Sequence, residues 1–74
     1  MARIDVKSEV TGTVWKIERA VGARIEADDE LMILESMKME IPVPAPAAGT
    51  VAEIRVAPEE SVSEGQVVAV IETG

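Results

Sequence analysis

The chain has no cysteine, histidine, tyrosine or phenylalanine, and Trp15 is its only aromatic residue. Each absence removes a class of function. Without Cys there is no disulfide, and without Cys or His there is no structural zinc. Without His, Cys or Tyr the chain lacks the usual near-neutral base, the thiol nucleophile and the phenolic acid. Carboxylates, hydroxyls and amines remain, but 74 residues are too few to enclose the cleft that an enzyme built from them needs. We therefore expect no catalysis by the chain itself. Basic residues are also scarce. Seven Lys and Arg against 14 Asp and Glu leave a net charge of −7, which argues against nucleic acid and anionic membranes as partners. The longest wholly aliphatic run, Val67 to Ile71, is too short to span a bilayer, and no signal peptide is expected. A cytoplasmic location is the expectation. The initiating Met1 and the absence of a linker favour a free-standing protein, and its acidic surface favours a monomer.

What the chain does have is a β-branched, aliphatic composition that favours strands. Outside residues 23–41, Gly or Pro interrupts each stretch before a long helix could settle. The pattern predicts eight short strands, near 3–7, 12–18, 24–26, 31–37, 39–44, 49–56, 61–63 and 67–73. It also repeats. Residues 1–37 and 38–74 align without a gap, and eight pairs are identical: Ile4/Ile41, Val6/Val43, Gly12/Gly49, Thr13/Thr50, Val14/Val51, Ile17/Ile54, Ala20/Ala57 and Glu35/Glu72. Two related halves of four strands predict an all-β fold, a flattened barrel or sandwich with a pseudo-two-fold axis, in one domain over 1–74. Because Lys38 aligns with Met1, the axis should set the chain termini opposite the Met37-Lys38-Met39 connection.

Several positions carry two readings. Pro42, Pro44 and Pro46 alternate with Ile41, Val43 and Ala45, which fits an edge strand or a low-complexity linker. Ile17 and Ile54 should point inward, with Lys16, Glu18, Glu53 and Arg55 facing water. Trp15 shares the face of Ile17, so core packing is favoured over an exposed contact site. The acidic residues Asp28, Asp29, Glu30, Glu59 and Glu60 lie on turns, where adjacent carboxylates are usually solvated, so no metal site is expected.

Among three lysines, Lys7 and Lys16 sit in charged strand contexts, whereas Lys38 stands between two methionines and carries Glu35 and Glu40 on its flanks. It lies where one half hands over to the next, on a surface connection that can present a side chain. The residues alone leave two readings open: a presented lysine, or an exposed strand lysine between core methionines.

The run Glu35-Ser36-Met37-Lys38-Met39-Glu40, followed by Ile41-Pro42-Val43-Pro44-Ala45 and Gly49-Thr50-Val51, resembles the biotinyl-attachment domains of biotin-dependent carboxylases and decarboxylases. The resemblance covers nearly the whole chain. It implies a flattened barrel of two four-stranded sheets, with Lys38 on a hairpin tip and biotin joined to its ε-amine. Ser36 replaces the alanine of the Ala-Met-Lys-Met signature. The family often has Gly-Asp where Gly22-Ala23 and Glu59-Glu60 stand here, and a glycine at Asp28. The implied function is that of a biotin carboxyl carrier, as in acetyl-CoA carboxylase. It is loaded by biotin protein ligase and shuttles carboxybiotin from a biotin carboxylase to a carboxyltransferase of acyl-CoA or keto-acid type. Met37 and Met39 would flank the arm or simply pack at the tip. Glu35, Ser36 and Glu40 would serve ligase recognition, the glutamates otherwise being a solvated flank. Two alternatives stand beside this: a lipoyl carrier, whose lysine usually lies in an Asp-Lys-Ala context, and an unmodified binding module of the same fold.

Overall fold

Short runs of Val, Ile and Leu, each closed by a turn, form eight strands in the computed structural model, which describes residues 2–74. They are β1 (Ala2–Lys7), β2 (Gly12–Ile17), β3 (Arg24–Ile25), β4 (Glu30–Ser36), β5 (Met39–Pro44), β6 (Gly49–Ile54), β7 (Ser61–Val62) and β8 (Val67–Thr73). Two antiparallel sheets result, with strand orders β1-β8-β6-β3 and β5-β4-β2-β7. Every strand of the first half recurs 37 residues on, and one sheet order becomes the other when each strand is replaced by its mate. The Ser36–Met39 pair that closes the β4–β5 hairpin is thereby equivalent to the Ala2–Thr73 pair at the termini. In a body 36 × 18 × 18 Å, the rotation sets hairpin tip and termini at the two ends. Met1, the repeat mate of Lys38, lies outside the described residues.

The irregularities repeat as faithfully as the strands. In β2 the register passes from Val14↔Leu34 to Lys16↔Ile33, leaving Trp15 as an extra residue, and in β6 it steps over Ala52 in the same way. A second pair of shifts steps over Leu31 in β4 and Val68 in β8. These β-bulges explain where strict alternation fails. Leu31 and Met32 are neighbours yet both fully buried, because the bulge turns two successive side chains inward. Val14, Leu34, Val51, Val68, Ala69 and Ile71 complete the centre of the core, with Ile17 and Ile54 packed partly buried against it.

The bulge also corrects the expectation for Trp15. A residue two before Ile17 in a regular strand would share its face, but the extra residue reverses the phase. Val14 goes inward and Trp15 stays 49% exposed, with the Lys16 ammonium 5.7 Å from its ring centroid.

Edge positions follow from proline chemistry. β5 is the edge of its sheet. Ile41 and Val43 face the core side of the ladder, so alternation turns the nitrogens of Pro42 and Pro44 toward the open edge, where a missing N–H breaks no bond. A bare edge would invite pairing with another chain, and proline there prevents it. At the equivalent positions β1 carries Asp5 and Lys7, which guard its edge by charge instead.

Two kinds of turn require a positive φ at their third residue, and each is glycine in one half only. Gly22 (φ 93°) matches Glu59 (φ 73°), and Gly65 (φ 86°) matches Asp28 (φ 73°). Both 20–23 and 57–60 close with a bond from the fourth N–H to the first carbonyl, of 3.0 and 3.1 Å, and Pro58 presets the second. The acidic residues here serve the turns: Asp29 accepts the Glu26 N–H at 2.8 Å and Glu60 the Ala57 N–H at 3.0 Å. Glu59 has neither the short side chain nor the missing Cβ that eases this backbone. Glu59→Gly should therefore raise stability by about 1 kcal/mol, or about 4–8 °C in Tm. Paired thermal melts with Gly22→Ala, which should fall by a similar amount, check the assignment.

Candidate functional site

A seven-residue strand, a two-residue turn and a six-residue strand make the longest hairpin of the chain, with Met37 and Lys38 at its tip. Both central residues have positive φ, 52° at Met37 and 65° at Lys38. That combination defines a two-residue hairpin turn whose twist matches its strands, usually supplied by Asn-Gly. Neither Met nor Lys is suited to it, and each costs on the order of 1 kcal/mol or more there. The strand therefore ends at Ser36, one residue before the sequence pattern placed its end, because Met37 is taken into the turn.

The stem holds this strained tip in place. Ser36 Oγ donates to the Thr11 carbonyl at 2.9 Å, while Thr11 Oγ1 accepts the Glu64 N–H at 3.1 Å. The start of β2 presses against β4 at Gly12, leaving no room there for a Cβ beside the Glu35 carbonyl. Ser36 is thus a brace of the stem as well as a neighbour of the tip.

At the tip itself nothing is covered. Met37 is 92% and Met39 65% exposed, so the reading in which they pack as core methionines does not hold. Lys38 is exposed and takes part in none of the ion pairs found among the described residues. Lys7 and Lys16, by contrast, lie within strands, and Lys16 Nζ is 3.4 Å from Glu18. An unpaired amine on a rigid, projecting turn suits a group that another enzyme must join to it. The hairpin also brings Glu35 directly opposite Glu40. Like charges in that position repel. At the terminal end the equivalent pair is Arg3 opposite Glu72, an attractive one. The fold therefore does not require two carboxylates beside the tip.

Elsewhere the ionisable groups do conventional work. Glu53 is bonded to Arg55, with Nε to Oε1 at 3.0 Å, and also to Arg3, which together hold its carboxyl below the usual carboxylate range. No cluster of metal-ligating side chains occurs among the described residues, and no helix there is long and apolar enough to cross a membrane.

Sequence reasoning placed Lys38, Met37, Met39, Glu35, Ser36 and Glu40 along one stretch. The structure gathers all six at the closed end of one hairpin. What it missed is a cleft of about 400 Å³ on the outer side of the same sheet, between Trp15 and Pro58.

The chain is similar to known proteins over almost its whole length. The family described as biotin-requiring enzyme matches residues 5–71. A biotin/lipoyl attachment protein of Bacillus subtilis is 42% identical over 62 residues, covering 84% of this chain and 85% of the relative. A biotinylated protein of Mycobacterium leprae, a TB7.3 homolog, is 40% identical over 67 residues, covering 90% and 94%. Among solved structures, the urea carboxylase of Kluyveromyces lactis superposes with a TM-score of 0.92 at 39% identity, over 97% of this chain but only 6% of that protein. Matched over almost its whole length, by sequence and by fold, the chain belongs to the biotinyl-attachment family, a non-catalytic carrier domain of the kind that bears covalent biotin.

Proposed function

We propose that residues 1–74 form one domain, a biotin carboxyl carrier in which a biotin protein ligase joins biotin to Nζ of Lys38. The observation that carries this reading is the lysine's position: exposed, unpaired and held on a strained turn whose neighbours Met37 and Met39 are exposed too. When bound, biotin supplies a ureido nitrogen that can take up a carboxyl group. The chain's own part is to carry and place that group. Its amine attacks the carboxyl carbon of the biotinyl adenylate made by the ligase, so that the amide forms, the acyl–phosphate bond breaks, and AMP and a proton leave. Its hairpin enters a foreign active site without unfolding, and its tether turns the second encounter into a local search. A biotin carboxylase and a carboxyltransferase acting on an acyl-CoA or a keto acid are the partners, and the carrier works as a cytoplasmic monomer between them.

Met37 and Met39 give those partners an adaptable apolar surface. Glu35 and Glu40 present an acidic collar to a basic rim on the ligase. The like-charge pair gives this a direct test. Glu40→Arg restores across the stem the attraction that Arg3 and Glu72 have at the other end, so stability should rise by about 0.5 kcal/mol. Labelling by biotin ligase should fall about tenfold in kcat/KM, with a shallower dependence on salt. A variant that gains stability and labels at the normal rate would remove Glu40 from ligase recognition.

The carrier reading is checked by intact mass after co-expression with biotin ligase, followed by fragment mapping. One biotinyl increment on Lys38 supports it. Faster modification of Lys38 by a lipoyl ligase would assign the arm to lipoate instead, and an unmodified chain under conditions that label a known acceptor would leave a binding module.

A further inference from the structure

The two halves of the chain form an internal control, because the same backbone carries different side chains at equivalent positions. Of the six residues that line the cleft, three differ from their mates, and each of those three changes in size or charge. The cleft is lined by Thr13, Val14, Trp15, Glu35, Pro58 and Glu59. Their mates in the other half are Thr50, Val51, Ala52, Glu72, Val21 and Gly22. The architecture is therefore satisfied by Ala, Val and Gly where this face carries Trp15, Pro58 and Glu59. Trp15 is left half-exposed on a bulge, which water disfavours for so large an apolar ring. Glu59 holds a left-handed backbone that its mate leaves to glycine. A strained residue kept beside an exposed aromatic is a place to look for a ligand.

The ligand is within reach of the tip. Thr13 pairs with Glu35, and Trp15 lies between the partners of Leu34 and Ile33 on the strand that leads into the turn. At about 3.4 Å per residue this is roughly 8 Å down the strand from the closing pair of the hairpin. An arm made of the lysine stem and the valeryl chain of biotin spans such a distance and returns along the face. The cleft's chemistry also suits the end of that arm. Trp15 and Pro58 offer an apolar surface to a fused bicyclic ring. Glu35 and Glu59 offer carboxylate oxygens to its ureido N–H donors, which make stronger bonds to charged acceptors. A ring that has gained a carboxyl group would instead meet both glutamates as like charges.

We propose that the cleft between Trp15 and Pro58 holds the uncharged ring of the arm tethered at Lys38, a retracted position that the acidic rim denies to the loaded arm. This rests on biotinylation of Lys38 as proposed above. A partner protein binding the same apolar face is the competing occupant, and the test separates the two.

Trp15 is the sole Trp in a chain without Tyr, so its fluorescence reports on this cleft alone. The unmodified chain and the chain biotinylated by ligase are compared, with intact mass confirming one increment before any reading. Retraction predicts a blue-shifted emission and an acrylamide quenching constant reduced roughly twofold, because the exposed half of the ring becomes covered. Glu59→Gly, which should fold more stably, should return most of that protection when biotinylated. Identical quenching of the two forms at confirmed mass overturns the proposal. So does protection that is unchanged in Glu59→Gly, or that comes only when a biotin carboxylase is added. A chain that gains no mass overturns the carrier reading itself, and the retracted arm with it.

Discussion

Lys38→Arg should abolish labelling by biotin ligase, with a loss of at least about a thousandfold in rate, or about 4 kcal/mol in the barrier. The substitution keeps the charge and nearly the length of the side chain, so the fold and the electrostatics of the tip are preserved. What it removes is the free amine. A guanidinium stays protonated at every pH the protein survives, and its delocalised electrons make it a poor nucleophile. Chemistry alone would allow Lys7 or Lys16 to substitute, since both carry the same amine. Geometry does not, because both project from paired strands and neither occupies a turn. Mass spectrometry of the variant distinguishes the two requirements. Silence at all positions supports recognition of the tip as a shape, whereas residual label on Lys7 or Lys16 would show that any exposed lysine suffices. The variant's thermal melt should match the parent's within about 0.5 kcal/mol, as expected for a surface change that breaks no contact.

The strands were legible because their signals are local: β-branched runs, closing glycines and alternating prolines. The repeat made the two-sheet arrangement legible as well, since each half supplies two strands to either sheet. Phase was the weak point. A β-bulge leaves no mark in hydrophobic periodicity, so the pattern puts Trp15 on the face of Ile17 whereas the structure puts it on the other. The backbone of the tip was illegible for a related reason. A turn of positive φ announces itself through Asn and Gly, and Met37-Lys38 contains neither. The Trp15 cleft had a signal that could have been used. At Trp15/Ala52, Pro58/Val21 and Glu59/Gly22 the halves disagree in size or charge while the neighbouring Thr13/Thr50 and Val14/Val51 agree. In a duplicated fold, agreement marks what the architecture needs, and disagreement marks where one copy has been given something further to do.

That distinction can be tested most sharply at the two glycines the halves share. A Cβ on Gly12 would overlap the Glu35 carbonyl oxygen, and one on Gly49 would overlap that of Glu72. The obstacle is the backbone of a paired strand in both cases, so no rotamer change relieves it and the sheet itself must part. Alanine gains up to about 1 kcal/mol over glycine by restricting the unfolded chain, which is too little to offset such an overlap. Each substitution should lose about 3 kcal/mol net, at the upper end of what overpacking costs. At about 4–8 °C per kcal/mol, Tm should fall by at least about 12 °C. The stability costs should agree because the contacts are the same, but the functional costs should not. Gly12 presses on the stem of the Lys38 hairpin, whereas Gly49 presses on the strand that ends beside the termini. At a temperature where both variants remain folded, Gly12→Ala should slow biotin labelling and Gly49→Ala should leave it near the parental rate. Equal slowing would mean that the ligase senses the stability of the whole domain. Slowing confined to Gly12→Ala would mean that it reads the geometry of a single turn, held by the contact that a duplicated fold happened to place behind it.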